Sequence, residues 1–421
     1  MIQVFKLFPG VTLRYFADSR FKQGCLSFQL VRPMASAEAA MNALLPAVLL
    51  RGTEKYPDLQ AITRHLDDLY GASVSALVRR IGDYQTTGLY CSFMEDRYAM
   101  DGDAILAPMV DFLRQLLLEP VLEENGFCKE FVESEKKNLI STIESELNDK
   151  RVYVGGQLLK IMCRSDAFGI PRLGDKESVE AITADKLYQH YQRILRESRI
   201  ELFYVGSAQA ESIAALLKDM LAGIERCYVN LTEQTPFHDA GGKHTREEMD
   251  ITQSKLCMGF VTPVTNRCSD FAAMQLFNTI FGAGMTSKLF TNVREKMSLC
   301  YSIGSGYYGT KGIITVSAGI DKEQEETVRG EILRQLQLCQ QGEIADQELT
   351  AAREAVLSGL WTVHDSPGAI EGYHATTALS GFPLTLEEYR QAVCAVQIPD
   401  VVAAAQQVAL HSSFFLQGVG E

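Results

Sequence analysis

Arg294 and Tyr301, a guanidinium and a phenol seven residues apart, are the residues whose types and spacing could act on a substrate. They close the stretch Gly282-Ala-Gly-Met-Thr-Ser-Lys-Leu-Phe-Thr-Asn-Val-Arg-Glu-Lys-Met-Ser-Leu-Cys-Tyr301. Brought together, the two donors could hold a carbonyl oxygen on which negative charge builds. They serve equally well as an Arg at a helix C-terminus and a Tyr packed in a sheet, and the stretch alone leaves both readings open.

Other chemistry has thinner support. None of the seven histidines (His65, His190, His238, His244, His364, His374, His411) forms His-Glu-x-x-His or His-x-x-Glu-His, so no metal site and no cofactor is expected in this chain. His364 and His374 flank Ser366-Pro-Gly368 as an incidental surface pair, and His238 and His244 fall in a polar stretch that reads as solvated. The ten cysteines are scattered without a Cys-x-x-Cys, and most sit among apolar neighbours, as small buried residues of a reducing cytosol do. Gly304-Ser-Gly306 is no nucleophile elbow, and Gly282-Ala-Gly284 lacks the third glycine of a dinucleotide loop.

The elements around the pair can be read from periodicity. The apolar run Met274–Phe281 ends in Gly282 and Gly284, which suit a helix stop or a turn with positive φ. Ser287 opens a short helix with Leu289, Phe290 and Val293 on one side, and a strand over 298–307 would carry Tyr301. Upstream, strands over 3–7, 11–16 and 25–31 precede helices over 36–50 and 58–69, then strands over 73–78 and 85–93. A helix over 103–118, a long one from Glu123 to about Met162, a helix over 186–195, a strand over 200–205 and a helix over 211–224 follow.

Periodicity lapses between Arg226 and Arg246, where Pro236 and a glycine pair mark a linker. The opening pattern then repeats, because Pro33 to Gly52 and Pro263 to Gly282 frame equivalent strand–break–helix segments. The reading is α+β: two tandem homologous domains, 1–225 and 247–421 with a linker at 226–246, each a mainly antiparallel sheet packed against helices.

Composition bounds function from outside. With 46% hydrophobic and 22% charged residues in 421, burying a core poses no difficulty. A net charge of −13 without basic runs argues against a nucleic-acid partner. The first nine residues lack the pattern of a signal peptide, and no stretch approaches 18 apolar residues, so a cytoplasmic protein without a membrane partner is expected.

A resemblance enters at Ala43-Leu-Leu-Pro-Ala-Val-Leu-Leu-Arg-Gly-Thr53. This resembles the signature helix of the pitrilysin/insulinase-like zinc peptidases, His-x-x-Glu-His followed by an apolar run and Lys/Arg-Gly-Thr. Aligned on Arg51-Gly-Thr53, the zinc-chemistry positions are Ala43, Pro46 and Ala47, whose side chains have no lone pair to offer. Pro46 should also kink the helix or delay its start, with Asn42 as a possible cap. Over Glu135–Glu144 the likeness places Thr142 at the third ligand and Glu135 at a supporting acid. The stretches 282–290 and 293–302 resemble the family's glycine-rich turn, its helix, and the segment bearing an Arg and a Tyr.

The resemblance covers essentially the whole chain. It implies a processing-peptidase-like architecture in which Arg294 and Tyr301 stabilise a substrate carbonyl, with Gly282 and Gly284 contributing to substrate binding. Zinc would come from a homologous HxxEH-bearing partner subunit, and the substrate would be a peptide or small protein. The chain would be inactive alone, as the non-zinc-binding member of a heterodimeric metallopeptidase. A likeness to one bacterial subgroup ties it to elongation factor P modification. The alternative the family allows is a catalytically inert peptide-binding or scaffold homologue.

Overall fold

Alternating apolar residues drive the N-terminal segment into β1 (Ile2–Phe8), β2 (Val11–Ala17) and β3 (Gln23–Pro33), whose inward side chains include Leu13, Leu26, Phe28 and Leu30. The computed structural model describes residues 2–124, 126–239 and 241–420. The chain divides into two compact units. The first gathers the chain up to Glu144, Ile170–Glu233 and His364–Thr376; the second gathers Ser145–Gly169, Gln234–Val363 and Thr377 onward. Neither is a plain half of the sequence, since each takes in a segment from the other half.

In the first unit, β4 (Ser73–Ile81), β5 (Tyr84–Met94) and β8 (Arg199–Gly206) complete a sheet of order β1-β2-β8-β3-β5-β4. A two-residue hairpin, β6 (Leu122–Glu123) with β7 (Gly126–Phe127), stands apart. Every pairing in the large sheet is antiparallel except β2 with β8. Helices Ser36–Leu49, Leu106–Leu118, Ala184–Glu197 and Ala210–Leu221 supply apolar faces to one core. Each large side chain buried there contributes about 1.5–3 kcal/mol.

The second unit carries β9 (His244–Met249), β10 (Ser254–Val261), β11 (Ser302–Tyr308), β12 (Ile313–Ile320) and β13 (Ala409–Gly418) in the order β11-β12-β10-β13-β9. Read from the other edge, β9-β13-β10-β12-β11 repeats β2-β8-β3-β5-β4, with a single parallel pair, β13 with β9, at the same place. The fold is α+β and duplicated, as periodicity predicts. Among the described residues no helix is long and apolar enough to cross a membrane.

Two local expectations are corrected. The long helix breaks into Lys129–Asn148 and Lys150–Met162. Asp149 between them is extended (φ −72°, ψ 104°), and its carboxylate accepts from Arg151 N–H at 2.9 Å, so a capping side chain outcompetes the helix. The linker does not run to Arg246, because β9 starts at His244; this edge strand, His-Thr-Arg-Glu-Glu-Met, has no apolar alternation to announce it. His244 is exposed, as expected, and its ring also meets Ser413 Oγ at 2.7 Å and Glu325 Oε1 at 3.1 Å.

Candidate substrate-binding site

Arg294 and Tyr301 are placed by the second unit. The largely buried helix Phe271–Phe281 ends at Gly282 with φ −155°, so no left-handed turn is required there. The glycine serves close approach instead. A Cβ at 282 would lie 2.7 Å from Ser305 Oγ and 2.8 Å from Leu289 Cδ1, and the Gly282 carbonyl accepts Ser305 N–H at 2.9 Å. Gly284 has open space around it and no positive φ; its carbonyl accepts Ser287 N–H at 3.1 Å. Both glycines shape the turn, and neither lines the cleft described below.

From Leu289 to Lys296 the backbone winds as a π-helix, with Met297 N–H reaching Asn292 O at 3.1 Å, five residues back. Leu289 and Val293 anchor it in the core, which turns Arg294 outward. Ser298 follows with φ +52°, a conformation that costs a non-glycine residue of order 1–3 kcal/mol and that tight surroundings must enforce. Tyr301 is not inside the strand, which begins at Ser302; its N–H nevertheless pairs with Gly319 O at 2.9 Å. The strained turn leaves the ring 61% exposed, so a ligand can reach it.

Both residues line one cleft, but the guanidinium meets the Tyr301 backbone and not its phenol. Arg294 Nε donates to the Tyr301 carbonyl at 3.1 Å, Nη1 pairs with Glu295 at 3.2 Å, and the guanidinium stacks 4.6 Å from the Phe290 ring. Tyr301 OH donates to Asp321 Oδ1 at 3.2 Å. Arg294, Glu295, Ser298, Leu299, Cys300, Tyr301 and Asp321 line a cleft of about 420 Å³. The hydrogen bond to Asp321, and then that carboxylate's charge, push the Tyr301 phenol above its usual range. Burial drives the Cys300 thiol up to about 11 despite the nearby Arg294, so it remains an unreactive thiol. Asp321 and Glu295 escaped the sequence reading; an acid directly after the apolar run Ile313–Ile320 is the signal that points to Asp321.

In the first unit, Ala43, Pro46 and Ala47 lie in a helix that starts at Ser36 and runs unbroken to Leu49. The expected late start does not occur. Pro46 offers no N–H to the Asn42 carbonyl, and Thr87 Oγ1 on β5 takes that carbonyl at 2.6 Å. Asn42 is no cap. Its buried amide donates to Gln85 Oε1 at 2.8 Å, and its Oδ1 lies 2.7 Å from His190 Nε2. Arg193 donates to His190 Nδ1 at 3.0 Å, which leaves the imidazole neutral with its proton on Nε2, and burial pulls its pKa down to about 4.

Thr142 sits exposed with its hydroxyl on Asn138 O at 2.9 Å, while Glu135 pairs with Arg51 at 3.2 Å. Two alanines and a proline carry no donor atom, and the polar groups nearest them are consumed by one another, so these residues do not fit a zinc ion. Among the described residues no group of three or more His, Cys, Asp or Glu is arranged for a metal.

Residues 181–356 match the family model described as the peptidase M16 inactive domain. A probable inactive metalloprotease of Bacillus subtilis (strain 168), YmfF, is 28% identical over 409 residues, spanning 97% of this chain and 96% of that protein. Over residues 181–356 the chain is similar to peptidase M16 domains. A conserved protein from Enterococcus faecalis V583 superposes with a TM-score of 0.93 at 26% identity over 100% of this chain and 99% of its own. A peptidase M16 inactive domain from Pseudomonas fluorescens shares the fold, with a TM-score of 0.81 at 16% identity over 99% of this chain and 98% of its own. The description 'inactive' belongs to the matched domain model and to the Bacillus relative; in this chain positions 43, 46 and 47 carry alanine, proline and alanine.

Proposed function

We propose that the chain is the non-zinc-binding subunit of a heterodimeric zinc peptidase. It would present Arg294 and Tyr301 to a peptide carbonyl while an HxxEH-bearing homologous subunit supplies the zinc. The observation that carries this reading is the convergence of both side chains on one open cleft, placed there by a π-helix and a strained serine. β11, the end strand of its sheet, begins directly after Tyr301, and apart from Ser305 N–H, which Gly282 O holds, its outer edge would offer main-chain groups to an extended peptide.

When substrate enters, its carbonyl oxygen replaces Asp321 as the acceptor of the Tyr301 proton, and Arg294 turns a free N–H toward the same oxygen. The two donors then stabilise charge that develops on that oxygen as the partner's nucleophile attacks. Zinc in the partner supplies that nucleophile. The tie to elongation factor P modification is carried by family likeness alone.

A second reading has an observation of its own. In the resting structure Tyr301 is satisfied by Asp321 and Arg294 by Glu295 and a backbone carbonyl, as in an inert peptide-binding or scaffold homologue. The discriminating experiment co-expresses the chain with an HxxEH homologue from the same genome. Co-purification and a peptidase rate well above that of either chain alone support the first reading; a complex no faster than the zinc-bearing chain alone supports the second.

A further inference from the structure

Gly319 on β12 is paired with Ser302 on one side and Lys255 on the other. Where its Cβ would stand, three polar atoms converge: Gln253 Oε1 at 2.9 Å, Lys255 Nζ at 3.0 Å and Ser302 Oγ at 3.1 Å. The missing side chain lets Lys255 lean from β10 across β12, bringing its ammonium beside β11. Its hydrogen-bond acceptor there is the Gln253 carboxamide, a neutral group. Among the described residues no carboxylate forms an ion pair with it. Arg151 and the Asp149 carboxylate bonded to it at 3.0 Å both act on the same ammonium, in opposite senses.

The notch lies next to the Arg294 and Tyr301 cleft. Asp321, which holds the Tyr301 hydroxyl, follows Gly319 by two residues on extended backbone and so shares its side of the chain, about 7 Å along. That is one two-residue repeat of an extended peptide.

We propose that Lys255 and Ser302, over Gly319, form a carboxylate-binding subsite for the peptide held at Arg294 and Tyr301. The inference rests on the proposed substrate role of that pair and adds a preference: an acidic side chain or a C-terminal carboxylate about two residues from the carbonyl held by the pair. A carboxylate takes the place of Gln253 Oε1 on the ammonium and accepts from the Ser302 hydroxyl, exchanging a neutral acceptor for a charged one. Partial desolvation of Lys255, which lowers its pKa, is consistent with a cation kept for a ligand rather than for solvent.

The test measures binding of the purified full-length chain to three fluorescent peptides of one extended sequence. One is neutral and amidated, one carries a single Glu and is amidated, and one is neutral with a free C-terminus. The subsite predicts about tenfold tighter binding of at least one carboxylate peptide than of the neutral one. The Glu and free-terminus arms show which source of carboxylate is read. Lys255→Met and Lys255→Gln should erase the preference while leaving neutral-peptide affinity unchanged. No preference in the wild type, no binding of any peptide, or a preference that survives both substitutions overturns the proposal. If Arg294→Ala leaves neutral-peptide binding untouched while Lys255→Met still erases the preference, the Arg294 reading fails and the subsite stands.

Discussion

The Tyr301 hydroxyl gives its proton to Asp321, so at rest its oxygen can only accept, and a substrate carbonyl must compete with a carboxylate for it. Removing the competitor should help the ligand. Asp321→Ala is expected to tighten binding of a neutral peptide by a few-fold, about the worth of one exposed charged hydrogen bond. With the ring isotopically labelled, Tyr301 should then titrate at lower pH than in the wild type, because the hydrogen bond and the charge of Asp321, the two largest causes of its upward shift, are gone. An unchanged titration would mean that Asp321 does not hold the hydroxyl in solution. At the opposite end of the chain, Thr87→Val strips the Asn42 carbonyl of the donor that replaces Pro46. A loss of about 1–2 kcal/mol in urea unfolding is expected, with peptide binding unaffected.

His190 makes a pH prediction of definite sign. Folded, it holds its proton only below about 4; unfolded, it does so below about 6.5. Between those values the unfolded state binds the extra proton, so stability falls as pH drops through that window, by roughly 3 kcal/mol in all. Urea midpoints between pH 7 and pH 4 should show the slope, and His190→Gln should flatten part of it.

At the scale of elements, periodicity reveals most helices and strands, because core-facing residues repeat at 3.6 or 2. It fails where polar side chains decide. Asp149 breaks a helix that apolar spacing continues, β9 is a charged edge strand, and the Thr87 hydroxyl serves the carbonyl that Pro46 leaves without its donor in a helix that starts well before it. The Arg294–Tyr301 spacing is legible, whereas Asp321 and Lys255 reach the site through strand pairing across 20 residues and more, which no local pattern encodes.

Glu371 is a further case of the same kind. Its helix belongs by sequence to the C-terminal half, yet in the first unit its carboxylate accepts from Ser27 at 2.7 Å, Gln29 at 2.8 Å and Arg79 at 2.8 and 3.1 Å. Glu371→Ala leaves a guanidinium and two buried donors without their acceptor. Such a break in a buried pair costs about 3–5 kcal/mol, and limited proteolysis should then cut within 364–376. Retained protease resistance and an unmoved midpoint would contradict that anchoring.

For the whole molecule, two units of one topology have drifted apart in chemistry. The first holds alanine and proline at 43, 46 and 47 on its first helix; the second has Arg294 and Tyr301 beside an open cleft. We propose that a chain built this way serves as half of a shared site. The most direct measurement is the peptidase rate of the complex with an HxxEH-bearing homologue, comparing wild type with Arg294→Ala at matched complex concentration. Losing one preorganised donor to the developing oxyanion should cost about a hundredfold or more in kcat. A rate within about twofold of wild type would contradict the assignment of Arg294 to the reaction.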